Sequence, residues 1–239
     1  MSRAHALVAG GGTGIGLACA RALTAAGYSV TVLGRREAPL LAAVASGAAA
    51  GLLVADAGSP PPLQAFSVLV NAAGVAESAP FHRTPAEMFQ RALEVNLLAA
   101  VALTHAVLPG MLAAGHGRVV HIASTAALRG YPYTTAYTAS KHALLGFCRA
   151  LALEVAAKGV TVNAVCPGFT ETAIVADSIA RIAARTGRGD AEARAELTRH
   201  NPQGRLVQPD EVAAAVLYLC GDGAAAVNGV ALPIAGGEI

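Results

Sequence analysis

An apolar run that enters a glycine cluster and leaves as a helix constrains this chain more than any other feature. It reads Leu7-Val8-Ala9-Gly10-Gly11-Gly12-Thr13-Gly14-Ile15-Gly16-Leu17-Ala18. Glycines permit a tight turn and let backbone approach a ligand. The helix that follows offers free N–H groups and the positive end of its dipole to a phosphate. Strand, glycine turn and helix, in that order, are the context a dinucleotide-binding turn needs. The spacing here is Gly-x-x-x-Gly-x-Gly, not Gly-x-Gly-x-x-Gly.

The alternation continues along the chain. Strand patterns at 6–9, 29–33, 51–55, 67–71, 118–123, 160–166 and 229–233 are separated by helix patterns at 15–26, 36–45, 84–114, 137–158 and 210–220. The stretch 84–114 holds one or two helices and is expected to break near Pro109-Gly110. This order predicts an α/β fold: a Rossmann-type doubly wound parallel sheet of about seven strands with helices on both faces. A length of 239 residues suits one such unit over 1–239 and does not demand two. Between 57 and 66 the alternation carries no helix pattern, only a proline-shaped turn. The stretch 171–201 has no matching strand and follows a strand's carboxyl end, where an active-site lid grows.

Composition narrows the partners. Hydrophobic residues make up 54% and charged residues 13%, which implies a large core and buried subunit contacts. A net charge of +2 and the absence of Trp argue against a nucleic-acid surface. The stretch 39–55 is uncharged but short for a membrane span. Cys19, Cys148, Cys166 and Cys220 form no C-x-x-C pair, and they read as buried reduced thiols. With no evident signal peptide, a cytoplasmic location is expected. The cysteines and histidines show no metal-ligand spacing, so no metal site is expected.

Tyr137 and Lys141 stand four apart on a helix pattern, so phenol and ammonium share a face. An ammonium beside a phenol favours the phenolate and is expected to lower its pKa from about 10. A phenol so tuned can give a proton to a carbonyl oxygen or take one from an alcohol. Ser124, thirteen residues upstream of Tyr137, could hydrogen-bond the same oxygen.

Gly10-x-x-x-Gly14-Ile15-Gly16, Asn71-Ala72-Ala73-Gly74, Ser124, Tyr137-x-x-x-Lys141 and Pro167-Gly168 stand in the order and spacing of the short-chain dehydrogenases/reductases. The chain resembles that family over nearly its whole length. The resemblance implies that Gly10, Gly12, Thr13, Gly14 and Ile15 hold a pyrophosphate, and that Asp56 with Ala57 meets adenine. Gly74 lets backbone pass close to the cofactor, and Asn71 ties neighbouring strands. Pro167 and the Thr170 backbone meet the nicotinamide carboxamide, and the Thr172 hydroxyl bonds that amide or a phosphate. Ser124 orients the substrate oxygen, Tyr137 exchanges the proton, and Lys141 tunes Tyr137 and binds ribose. Asn96 kinks its helix and holds a relay water. Gly34 occupies the place where NAD(H)-preferring members carry an acid, and Arg35 follows it. A guanidinium pairs bidentately with a 2′-phosphate, so NADP(H) is favoured over NAD(H).

The leading reading is an NAD(P)(H)-dependent oxidoreductase acting on a ketone or secondary alcohol, first of all a 3-oxoacyl or 3-hydroxyacyl thioester. An NAD(H)-dependent dehydrogenase of a hydroxyacid, sugar, steroid or aromatic alcohol is the alternative. A cofactor-binding regulator without turnover is a third reading, opposed by the intact Ser124, Tyr137 and Lys141. Tyr131 and Tyr133 predict an apolar to amphipathic wall. Arg181, Arg185, Arg188, Arg194 and Arg199 could meet the phosphates of coenzyme A or a carrier arm, although interspersed acids point to surface ion pairs. The resemblance also implies a homotetramer or homodimer packed through the helices at 84–114 and 137–158.

Overall fold

The computed structural model describes residues 4–63, 66–187 and 189–239. The first half holds β1 (His5–Ala9), α1 (Gly14–Ala25), β2 (Ser29–Gly34), α2 (Glu37–Ala45), β3 (Gly51–Val54), β4 (Val68–Asn71), α3 (Ala86–Leu93) and α4 (Ala99–Ala114). The second half holds β5 (Gly117–Ile122), α5 (Thr135–Val155), β6 (Val160–Pro167), α6 (Ala173–Thr186), α7 (Asp190–Thr198), α8 (Pro209–Cys220) and β7 (Ala231–Ile234). The strands form one seven-stranded sheet in the order β3-β2-β1-β4-β5-β6-β7. Every pairing is parallel. All residues of β4, β5 and β6 are buried, as strands covered on both faces must be.

The order reverses between β1 and β4, and the crevice at that reversal is where such sheets take ligands. Ala9 pairs with Asn71 at its mouth. The chain leaves β1 through Gly10, whose φ of +72° is left-handed. A Cβ at Gly10 would lie 2.9 Å from the Ala72 carbonyl carbon, so only glycine fits the turn. A Cβ at Gly16 would strike the Gly10 carbonyl oxygen, because α1 crosses directly over the turn.

Two apolar layers flank the sheet. Cys19 and Leu23 of α1 meet Val212, Val216 and Leu219 of α8 on one face. Leu103 and Val107 of α4 meet Leu144 and Cys148 of α5 on the other. All four cysteines are free and buried. Burial pushes the Cys19 and Cys148 thiols up to about 12, so they stay neutral. Val175, Ile179, Ala193, Leu197 and Leu206 form a separate small cluster around α6 and α7.

Two connections bear on the expectations above. Among the described residues between β3 and β4 there is no helix, only a turn and a proline stretch without regular structure. The helix at 84–114 does not break at Pro109, which lies inside α4. Pro109 and His105, whose carbonyl loses its helical partner there, are both exposed, so water can take the missing bond. The irregularity falls earlier, in a π turn at Glu94–Leu98. Ala86–Ala114 is long and apolar enough to cross a membrane by length and composition, and only 33% of its most apolar window is buried inside the protein.

β5 carries a histidine into the core. His121 is fully buried, its Nε2 is 3.3 Å from Thr104 Oγ1, and its Nδ1 has no partner. Burial, and then the Lys141 charge, push its pKa from 6.5 down to about 3. The unfolded chain therefore binds one more proton between those two values, and stability is lost as pH falls from 6.5 toward 3. The urea midpoint is expected to drop over the upper part of that window, and His121→Leu should flatten the drop. Gly16→Ala should destabilise by about 1–3 kcal/mol and lower Tm by several degrees. Gly34→Ala, whose Cβ would meet Leu40 at an ordinary 3.5 Å, should be nearly neutral in the same thermal melts.

Candidate active site

α5 presents Tyr137 and Lys141 on one face, on a stripe that continues through the buried Leu144, Cys148 and Ala152. The first turns of that stripe face the sheet edge, so phenol and ammonium enter the crevice together. Lys141 is only 4% exposed; its Nζ donates to the Ile122 carbonyl at 2.9 Å and lies 5.8 Å from the Tyr137 ring centroid. Ser124 follows β5 and caps the short turn Thr125–Ala127, its Oγ accepting the Ala126 N–H at 3.1 Å.

Asn96 stands behind them in the π turn, fully buried. Its Oδ1 accepts the Val75 N–H at 2.9 Å, and its Nδ2 donates to the Val75 carbonyl at 3.1 Å and to Ser140 Oγ at 2.9 Å. The Ser140 hydroxyl donates to the Tyr137 carbonyl at 2.7 Å. One amide thus ties the loop after β4 to the helix that carries Tyr137. Among the described residues the π turn at Glu94–Leu98 is the one irregularity in this helix, and a π turn is where a helix gives a polar side chain room.

The electrostatics differ from the expectation that Lys141 sets the phenol. Burial raises the Tyr137 pKa above 10, a hydrogen bond with Ser124 pulls it back, and Cys166 nearby adds to the rise. Burial likewise lowers Lys141 from 10.5 to about 8. Desolvation is the largest cause for both groups, because burial penalises each charged form, and the ammonium is held by a backbone carbonyl. At neutral pH the pair is therefore a protonated phenol beside a mostly charged lysine.

Ser124, Tyr137, Lys141, Pro167, Thr170 and Thr172 line one cavity of about 610 Å³, with Ile15 and Gly74 in its wall. The residues around it fit a dinucleotide. Thr13 caps α1 without a side-chain bond, and the first turn of α1 holds no acid, so its N–H groups face outward unclaimed by a cap. A Cβ at Gly74 would crowd Asn96 Oδ1 at 3.1 Å, so the wall there is bare backbone. Thr172 begins α6 in extended geometry and donates its hydroxyl to the Thr170 carbonyl at 3.2 Å. Thr170, 4% exposed, donates its own to the Gly168 carbonyl at 2.9 Å.

Gly10, Gly12, Thr13 and Gly14 form the turn at the cavity's edge. Asp56, Ala57 and Arg35 lie farther out, beyond the ends of β3 and β2, and do not line the cavity. Asp56 is exposed, and its Oδ1 accepts the Gly58 N–H at 2.7 Å. Arg35 is exposed and has no hydrogen-bond or ion-pair partner among the described residues. The Asn71 side chain does not bridge strands; its Oδ1 turns back on the Ala73 N–H at 3.1 Å, and the backbone alone pairs with β1 and β5.

The described residues of 171–201 form α6 and α7, and both helices contribute to the cavity lining. Arg194 pairs with Glu171, and Arg199 with Glu196 at 2.7 Å. Arg181 lines the cavity and donates to Ser178 Oγ at 3.1 Å. Arg188 lies outside the described residues. Tyr131, which the sequence placed in the wall, packs edge-on against Phe169 and His200 at 6.1 and 5.9 Å. Two residues next to the site had no local signal: His121, close enough to feel the Lys141 charge, and Glu238, which receives the Tyr131 hydroxyl.

Known proteins resemble this chain along nearly its whole length. Residues 9–238 match the family described as enoyl-(acyl carrier protein) reductase. A putative ketoacyl reductase of Streptomyces coelicolor is 39% identical, with 97% of this chain and 95% of that protein covered. Acetoacetyl-CoA reductase of Shinella zoogloeoides is 34% identical over 100% of this chain and 99% of that protein. Among solved structures, a variant of actinorhodin polyketide ketoreductase with NADPH superposes with a TM-score of 0.93 at 37% identity, covering 99% and 97% of the two chains. A glycine turn at the sheet reversal, a Tyr-x-x-x-Lys pair lining the cavity beside a strand-end serine and this breadth of likeness lead to one conclusion: the chain belongs to the short-chain dehydrogenase/reductase family of oxidoreductases.

Proposed function

We propose that this protein is an NADP(H)-dependent reductase of 3-oxoacyl thioesters, able in reverse to oxidise the corresponding 3-hydroxyacyl compounds. The observation that carries the reading is the protonated, half-buried Tyr137 beside the buried Lys141 in a cavity bounded by the glycine turn's helix. When bound, the dinucleotide supplies or accepts hydride at the substrate carbon. Backbone at Gly12, Thr13, Gly14 and Ile15 would hold its pyrophosphate, Asp56 and Ala57 its adenine, and Arg35 its 2′-phosphate. Lys141 and Tyr137 would take the ribose hydroxyls, and Pro167, Thr170 and Thr172 the carboxamide.

Tyr137 gives its proton to the carbonyl oxygen as negative charge develops there. Ser124 donates a second hydrogen bond to that oxygen and so fixes its position. The Lys141 ammonium stabilises the phenolate that remains, a stronger effect in a desolvated site than in water. Asn96 keeps the loop after β4 and the Tyr137 helix in register, and it orders the path by which the phenol is reprotonated. In the oxidative direction the same groups act in reverse order.

Two observations support a thioester. The ketoacyl and acetoacetyl-CoA reductases named above act on such groups, and Arg181 at the cavity mouth is bonded to a hydroxyl rather than to a carboxylate. Residues 1–239 act as one dinucleotide-binding and catalytic unit, with 171–201 as its lid. Exposed Leu98, Leu112 and Leu153 on the outer faces of the α3–α4 helix and α5 fit contacts between copies, in a homotetramer or homodimer. Buried free thiols fit a reducing cytoplasm.

A ketone panel screened with NADPH and NADH is the primary test, and a protein that turns over no 3-oxoacyl thioester is not this enzyme. Tyr137→Phe is expected to lower kcat by about 10²–10⁴-fold while calorimetry still detects cofactor binding. Turnover that survives the change removes the proton role from Tyr137. Arg35→Asp should cut the NADPH-to-NADH preference in kcat/KM by about 10- to 100-fold. An unchanged ratio removes Arg35 from the 2′-phosphate. Light scattering that finds a monomer refutes the assembly.

A further inference from the structure

The segment after β7 turns back onto the cavity wall. It is steered there by Gly236 and Gly237, with φ of +62° and +93°. A side chain at Gly236 would overlap the Asn201 amide, so the segment lies against that residue. Asn201 is itself held, its Oδ1 accepting the Gln203 N–H at 2.8 Å and its Nδ2 donating to the Arg205 carbonyl at 2.9 Å. The path delivers Glu238 to Tyr131, whose hydroxyl donates to Glu238 Oε1. The same phenol oxygen lies 2.7 Å from Thr125 Oγ1. A phenol has one proton, and the carboxylate claims it, so Thr125 must donate to Tyr131. Thr125 is 3% exposed and directly follows Ser124. Glu238 also needs Gly168 to be bare, since a Cβ there would lie 3.2 Å from its Oε2.

We propose that Glu238 is a positioning residue for the ketone reaction: through Tyr131 and Thr125 it fixes the substrate end of the cavity and the turn that carries Ser124. This rests on Ser124 as the residue that binds the substrate oxygen. Without the carboxylate, Tyr131 loses a charge-assisted bond, roughly twice the strength of a neutral one, and regains rotamers. The ring is part of a wall with Phe169 and His200, and Arg129 stacks 5.1 Å above it. A ring free to swing changes the room for the part of the substrate beyond its carbonyl. A two-carbon extension feels this less than a long or aromatic acyl chain.

The test compares wild type with Glu238→Gln, Glu238→Ala, Tyr131→Phe and the double variant Tyr131→Phe/Glu238→Ala. Amide hydrogen exchange of 124–131 is followed in the protein alone, with the sheet peptides as the control for folding. Exchange of 124–131 is expected to quicken about tenfold in Glu238→Ala and Tyr131→Phe, with the sheet unchanged. KM for long-chain 3-oxoacyl thioesters should rise about tenfold more than KM for the acetoacetyl thioester, with kcat changed less than about threefold. The double variant should match the singles, because one chain of bonds is cut in each. Glu238→Gln, whose amide oxygen still accepts from the phenol, should recover most of the loss. Unchanged exchange in 124–131, or equal KM changes for short and long substrates, overturns the proposal. If wild type reduces no 3-oxoacyl thioester, the functional reading fails, and the exchange measurement still decides the positioning role.

Discussion

Parallel pairing throughout the sheet is the constraint on which the rest depends. Seven strands that all run one way open their carboxyl ends on a single edge. Each loop leaving that edge carries groups whose backbone partners have run out. The reversal of strand order between β1 and β4 parts the loops and leaves a crevice there. Gly10, Asn71, Ser124 and Thr170 come from four different strand ends and meet around that crevice for this reason alone. Helix α5 adds Tyr137 and Lys141 from above, and the π turn adds Asn96 from behind.

Burial then decides the chemistry of what meets. The same desolvation raises Tyr137, lowers Lys141 to about 8 and drives His121 down to about 3. The site keeps one cation and suppresses its neighbours' charges. A neutral phenol suits proton donation, and a nearby cation suits the phenolate that donation creates. Backbone carbonyls and amides, rather than carboxylates, hold these groups. Lys141 binds the Ile122 carbonyl and Asn96 binds the Val75 peptide. Among the described residues no carboxylate pairs with Lys141.

Much of this was legible in the chain itself. Apolar runs marked each strand within a residue or two, because a strand buried on both faces has little freedom in composition. The glycine turn and the four-residue spacing of Tyr137 and Lys141 are local, and local features survive in sequence. What was misread depended on which way a face points. Pro109 looks like a helix break unless one knows that it and His105 face solvent. The pKa of Tyr137 looks set by its nearest cation unless one knows how deeply both are buried. Tyr131 and Glu238 are 107 residues apart, and no periodicity links them. His121 reads as an ordinary polar strand residue until both faces of β5 prove to be covered.

The small apolar cluster around α6 and α7 has an evolutionary reading. Val175, Ile179, Ala193, Leu197 and Leu206 pack on one another and not on the sheet's two main layers. Substitutions that reshape this piece leave the larger layers intact, and the sheet's stability does not oppose them. Changes in this stretch can therefore reshape the cavity's cover while the packing around Lys141 beneath is left as it is. Diversity of diet on a fixed reaction is what such a division of packing permits.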